Sequence, residues 1–257
     1  MAHVFITGSS DGLGLLAGRL LVEWDHAVTL HARNSARAEE ARHALPGAEA
    51  VVIGDVSSIA QTRGVAERVN ALGRFDAVIH NAGVGSRGSR IETEDGLSQT
   101  FAVNVLAPYM LTALISRPGR LIYLSSGMHR GADPRLDDAQ WTKRPWNGWQ
   151  AYSESKLFDV MLAFAVARLW PKVMANAIEP GWVATKMGGA GAPDDLTLGA
   201  VTQAWLAVSD DTEATVSGQY FYHQKHQKVH PAAREVALQD QLIDYCTGLT
   251  GLKLPHL

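Results

Sequence analysis

The feature that most constrains this chain is a long alternation. Apolar runs of strand length occur at residues 3–7, 27–31, 50–54, 75–80, 120–125, 173–179 and 219–222. Between them, at 13–24, 36–45, 59–72, 98–115, 151–170 and 198–208, lie helix-like segments, and a closing helix is expected at 231–246. Strands joined through helices of this length run parallel, because each connection carries the chain back over the sheet. A parallel sheet must be covered on both faces. The expectation is an α/β fold: one domain over residues 1–257, built on a doubly wound parallel sheet of about seven strands. Two stretches, 127–150 and 187–196, break the alternation. Both follow strands, which places them at the carboxyl edge, where open parallel sheets bind ligands.

Composition narrows the partners. With 46% hydrophobic and 19% charged residues over 257 positions, there is ample core and little sign of disorder. A net charge of -3 with dispersed Lys and Arg offers no basic surface for nucleic acid. The single cysteine, Cys246, excludes an intramolecular disulfide and fits a reducing, cytoplasmic setting. The start of the chain goes straight into an apolar strand, with no basic leader, and no apolar run is long enough to span a bilayer. No membrane contact is expected.

Tyr152 and Lys156 are four residues apart within the 151–170 helix and share a face. A phenol alone titrates near pH ~10. An ammonium beside it stabilises the phenolate and brings proton exchange toward neutrality. The same spacing also suits a packed ring with a solvated amine, so the neighbours must decide.

The first strand runs into Thr7-Gly8-Ser9-Ser10-Asp11-Gly12-Leu13-Gly14. Glycines permit a tight turn and let a phosphate approach the backbone, and the following helix presents free N–H groups and its positive dipole end. Gly8, Ser9, Ser10, Gly12, Leu13 and Gly14 are therefore candidates for phosphate contact. An acidic residue after the second strand would bind a ribose diol, but none occurs between Thr29 and Ala38. Arg33, with Asn34 beside it, offers a guanidinium fork suited to a 2′-phosphate, which favours NADP(H) over NAD(H).

Further motifs fall in order behind these. Asp55-Val56 follows the third strand, Asn81-Ala82-Gly83 the fourth, and Ser125-Ser126 ends the fifth. Asn104 lies in the helix between the fourth and fifth strands, and Pro180-Gly181-Trp182-Val183-Ala184-Thr185 follows the sixth. With the glycine turn and Tyr152-x-x-x-Lys156, this series resembles the short-chain dehydrogenase/reductase family over the whole chain. The nearest subgroup looks like the retinol-dehydrogenase-like soluble reductases. The features shared with it are Glu94-Asp95-Gly96, Asp137-Asp138-Ala-Gln-Trp141 and the long gap from Ser126 to Tyr152.

The resemblance implies a Rossmann fold and an oxidoreductase acting on a small hydrophobic carbonyl or alcohol. It implies that Tyr152 is the general acid of reduction, that Lys156 supports it and binds the nicotinamide ribose, and that Ser126 rather than Ser125 binds the substrate oxygen. Asn104 would hold a relay water or support the helix. Asp55, Val56, Asn81, Ala82, Gly83, Tyr152, Lys156, Pro180, Gly181, Val183 and Thr185 complete the implied cofactor contacts. Family members often pair through their two long helices, here 98–115 and 151–170, which implies a homodimer or homotetramer. Two alternatives stay open: a non-catalytic NADP(H)-binding protein of the same fold, and a reductase of C=C bonds.

The ten histidines show no ligand spacing with an acidic or cysteine partner, so no metal is expected. His129 is a candidate for the substrate mouth. Arg33–Arg42 beyond Arg33 itself reads as a solvated helix face. Trp141, Trp146 and Trp149 in the long loop, with Trp182, either wall an apolar pocket or pin the insertion to the body.

Overall fold

A computed structural model describes residues 1–85 and 88–254. Its elements in chain order are β1 (His3–Ile6), α1 (Gly12–Glu23), β2 (Ala27–Ala32), α2 (Ser35–Ala44), β3 (Ala50–Ile53), α3 (Ile59–Ala71), β4 (Ala77–His80), α4 (Gln99–Phe101), α5 (Ala107–Leu114), β5 (Arg120–Leu124), α6 (Gly148–Leu169), β6 (Met174–Glu179), α7 (Leu196–Val208), β7 (Tyr220–Tyr222), β8 (Lys225–His226) and α8 (Val236–Thr250). The sheet order is β3-β2-β1-β4-β5-β6-β7-β8. All pairings are parallel except β7 with β8. β1 and β4 are neighbours, so the connections diverge there and leave a crevice at their carboxyl ends.

Strand residues alternate between two cores. Leu121 and Tyr123 of β5 join the core formed with α3, α5, α6 and α8. Ile122 and Leu124 join the core formed with α1, α2 and α7. This period of two, with apolar residues in both phases, explains the continuous apolar runs.

The eighth strand was not in the sequence expectation of about seven. It folds back through His223 and Gln224, both at positive φ (47° and 62°). A two-residue hairpin turn with both centres left-handed ordinarily signals itself by Asn-Gly or Gly-Gly, and neither is present. The closing helix also starts later than expected: Pro231–Arg234 is a 3₁₀ turn, and α8 runs from Val236 to Thr250. In the other direction, α6 starts inside the stretch read as irregular, because the Asn147 side chain accepts the Gln150 N–H and caps it.

The long helix expected at 98–115 contains a π turn, Ala102–Leu106, centred on Asn104. Its wider winding lets the Asn104 amide face sideways. Oδ1 accepts from the Val84 N–H at 2.8 Å, and Nδ2 donates to the Val84 carbonyl at 3.1 Å and to Ser155 Oγ at 2.9 Å.

The two helices expected to pair copies are enclosed within one chain. Every residue from Thr100 to Thr112 is buried, and so is every residue of 151–166 except Tyr152. α8 and the Pro231–Arg234 turn pack on α6, and the Tyr109 hydroxyl is bonded to Thr247 Oγ1 at 2.7 Å and the Leu252 carbonyl at 2.8 Å. Among the described residues no helix is long and apolar enough to cross a membrane. Leu242, fully buried on the inner side of α8, should anchor this cover: Leu242→Ala is expected to cost about 2–5 kcal/mol in a denaturant titration.

Candidate active site

The site is assembled around the first turn. Gly8 has φ +60°, and a methyl group on it would lie 2.7 Å from Ala82 Cα. A methyl on Gly14 would collide with Asn81 Nδ2. These two positions therefore require glycine, because the β4 turn lies directly against the β1 turn. Asn81 Nδ2 donates to both the Thr7 and the Gly8 carbonyls at 2.9 Å, and Thr7 Oγ1 accepts from the Asn81 and Ala82 N–H groups at 3.0 Å. Ser9 is buried and ties β1 to β2: its hydroxyl donates to the Ile6 carbonyl and accepts the His31 N–H, each at 2.8 Å. Its side chain is thus a strut.

His31 is a site residue that the sequence reading took only as part of a strand. Nδ1 accepts the Gly8 N–H at 2.9 Å, and Nε2 lies 2.8 Å from the Gly54 carbonyl. Those partners fix the tautomer, with the proton on Nε2. Burial holds the ring neutral, pushing its pKa down to about 4.

Arg37 is a second omission. The face expected to be solvated turns inward here: Arg37 Nη2 donates to Ser10 Oγ at 3.1 Å and pairs with Asp11 at 2.6 Å. Arg33 is exposed, and the Asn34 side chain accepts the Arg37 N–H, capping α2. Asp11 also takes Lys186 at 2.8 Å. Burial opposes its charge, but hydrogen bonds and charge from Lys186 and Arg37 outweigh this and hold the carboxyl below its usual range. Asp11 precedes α1 without capping it, so the first-turn N–H groups of α1 remain free of a side-chain cap. The close-packed glycines, the uncapped helix start and Arg37 form a cradle that fits a dinucleotide phosphate.

The remaining residues lie at the same edge. The Asp55 side chain accepts the Ser57 N–H, and Val56 is buried in the core. A methyl on Gly83 would stand 3.7 Å from Lys156 Nζ and 3.5 Å from Asn104 Oδ1, so the β4 turn adjoins the lysine. Asn104 commits its amide to Val84 and Ser155. After β6, Pro180 leads into Gly181 at φ +85°, and Val183 bridges to Asp194. Thr185 lies against the first turn, 3.9 Å from a methyl placed on Gly12.

The two serines diverge, as strand geometry demands. Ser125 is buried and donates to the Lys156 carbonyl at 2.7 Å. Ser126 is half-buried, and its Oγ accepts the Met128 N–H at 3.3 Å. Tyr152 is half-buried at the head of α6, with Lys156 Nζ 5.9 Å from its ring centroid. Lys156 is sealed beneath and donates to the Leu124 carbonyl and to Asp159 Oδ2, both at 2.7 Å. Burial disfavours its charge, yet Asp159 and Tyr152 together raise its pKa.

His129 is not at the substrate mouth. It is fully buried behind Ser126, with Nδ1 2.7 Å from the Ser126 carbonyl and Nε2 accepting the His230 N–H. Next to it, Arg130 pairs with Glu179 at 2.5 Å, and the Glu179 carboxylate fills the space a methyl on Gly127 would need. The loop tryptophans divide. Trp141 is buried, with the Arg144 guanidinium 3.7 Å over its ring, and its Nε1 donates to Glu154. Arg144 also pairs with Glu154 and Asp138, so this part pins the insertion. Trp149 and Trp182 are exposed, at 63% and 60%.

Geometry of this kind places the chain among the dinucleotide-binding α/β proteins. Residues 2–135 match the model of the family described as short chain dehydrogenase, and an uncharacterized oxidoreductase of Emericella nidulans is 44% identical over 260 residues, 99% of each chain. The chain belongs to the short-chain dehydrogenase family of oxidoreductases. Human retinol dehydrogenase 14 is 29% identical, with 97% of this chain and 86% of that one covered. A crystal structure of an uncharacterized protein from Mycobacterium Paratuberculosis superposes with a TM-score of 0.85 at 25% identity, covering 99% and 95%.

His31 gives the site an acid limit. Its folded pKa is depressed, so between pH 6.5 and about 4 the unfolded chain binds a proton that the folded chain does not. Stability is full above this window and falls as pH drops through it, by on the order of 3 kcal/mol from this group. His31→Asn should reduce the proton uptake on unfolding in this range, measured from denaturation curves at stepped pH, and should weaken nucleotide binding at pH 8.

Proposed function

We propose that this chain is an NADPH-dependent reductase that converts a ketone or aldehyde to an alcohol, or runs the reverse reaction. One observation carries the reading: Tyr152 is the half-exposed phenol at the head of α6, directly over a buried lysine ammonium, at the carboxyl edge of the sheet. When bound, the nicotinamide supplies or accepts the hydride. The glycine turn and the first-turn amides of α1 would hold its pyrophosphate, and Arg33 and Arg37 its 2′-phosphate. Tyr152 donates its hydroxyl proton to the carbonyl oxygen as charge develops there. The Ser126 hydroxyl donates a hydrogen bond to the same oxygen, while Ser125 is committed to α6. Lys156 supports the phenolate that Tyr152 becomes. Asn104 keeps the Val84 segment and Ser155 fixed beside them. Exposed Trp149, Trp182 and Met187 favour a hydrophobic substrate, and the protein is proposed to act in the cytoplasm.

A panel of ketones and aldehydes should reveal NADPH oxidation by the purified protein. Tyr152→Phe should lose about 10²–10⁴ of that rate while still binding NADPH; undiminished turnover in this variant would falsify the mechanism. Arg33→Ala and Arg37→Ala should each weaken NADPH binding roughly tenfold to a hundredfold and leave NADH nearly unchanged. Equal losses for both nucleotides would overturn the cofactor preference.

A further inference from the structure

We propose that Asp159 is the counter-ion of Lys156 and that its charge sets how strongly the ammonium acts on Tyr152. This positioning role rests on the reading of Tyr152 as the acid–base group. Asp159 lies one turn beyond Lys156 on α6, outside the tyrosine–lysine motif. The two side chains are 3% and 5% exposed, with Oδ2 and Nζ 2.7 Å apart. The Leu124 carbonyl takes a second ammonium proton, so two of the three are committed away from Tyr152.

The surroundings make this pair electrostatically self-contained. On its own helix, Lys156 is the charged group that acts on Asp159. On β5, Tyr123 feels the Asp159 charge and is kept protonated by burial. Thr112 of α5 links the Tyr123 hydroxyl at 2.7 Å to His80 of β4 at 3.1 Å, and burial keeps His80 neutral, with a pKa of about 3. On the α8 side, Arg234 sits over the Phe164 ring at 4.9 Å, and burial holds Cys246 as a thiol. Among the described residues no other cation pairs with Asp159. Ionised, the pair carries no net charge, and burial raises the Asp159 carboxyl to about 7 against the pull of Lys156.

The consequence falls on Tyr152. Asp159 Oδ2 is 2.7 Å from Nζ, which is 5.9 Å from the tyrosine ring centroid. A full negative charge within roughly 9 Å of the ring centroid repels the phenolate that the ammonium attracts. An ionised Asp159 therefore offsets much of what the ammonium provides, and a neutral group there releases it.

Asp159→Asn keeps the shape and removes the charge. The ultraviolet tyrosinate titration attributable to Tyr152, taken as the difference from Tyr152→Phe in each background, should move toward acid. With a carbonyl substrate found in the panel, alcohol oxidation should rise about tenfold on the acid side of its pH limb. Carbonyl reduction should fall about tenfold on the alkaline side of its own. Opposite changes in the two directions cannot come from general damage, which lowers both. An unmoved tyrosinate titration, or equal losses in both directions, would overturn the inference. A shifted titration without any carbonyl turnover would uphold it and count instead against the reductase reading. Asp159→Ser makes the same charge removal with less bulk and carries the same expectation should the asparagine variant fold poorly.

Discussion

The structure depends on how the Asn81 side chain closes the gap between two turns. β1 and β4 are neighbours in the sheet, but their connections leave in opposite directions. That divergence opens the crevice, and without a brace its floor would be two independent loops. The amide of Asn81 donates to two successive carbonyls of the β1 turn, and the Thr7 hydroxyl answers from the other side. Glycine at positions 8 and 14 is a consequence of that closeness. His31 extends the same brace to β2 and to the end of β3. A chain of neutral, mutually satisfied polar groups thus shapes the floor of the crevice.

Much of this was legible in the sequence because it was periodic. Strand and helix positions followed from the alternation, and the candidate residues fell at strand ends because the fold leaves them nowhere else. What could not be read were contacts that depend on two elements meeting. Arg37 looked like any solvated helix arginine until α2 folded back on the first turn. His129 followed the serines and invited a role at the mouth, but the 3₁₀ turn Gly127–Gly131 carries it inward beneath Tyr220. The cover over α6 was hidden for the same reason, since nothing in its own sequence says that α8 packs on it. β8 was invisible because its turn uses residues that rarely adopt left-handed conformations.

The long insertion before Tyr152 illustrates a division of labour. It is anchored by charge and aromatic contact, with Arg144 stacked on Trp141 and paired to Asp138 and Glu154. Glu154 is itself on α6, two residues from Tyr152, so the anchor of the loop and the position of the phenol are mechanically one unit. Exposed Trp149 at its far end therefore stands on an anchored base, while Trp182 after β6 is tied within its own segment, its Nε1 donating to the Gly188 carbonyl at 2.9 Å.

The burial of α6 by α8 has a bearing on synthesis as well as on structure. The helix carrying Tyr152 and Lys156 has its outer wall supplied by some of the last residues of the described chain. During translation the glycine turn and the first strands leave the ribosome early and can pair among themselves. The wall of α6 is completed only when Val236–Thr250 emerges. An incomplete nascent chain can thus bring the β1 and β4 turns together while α6 still lacks the cover that α8 provides.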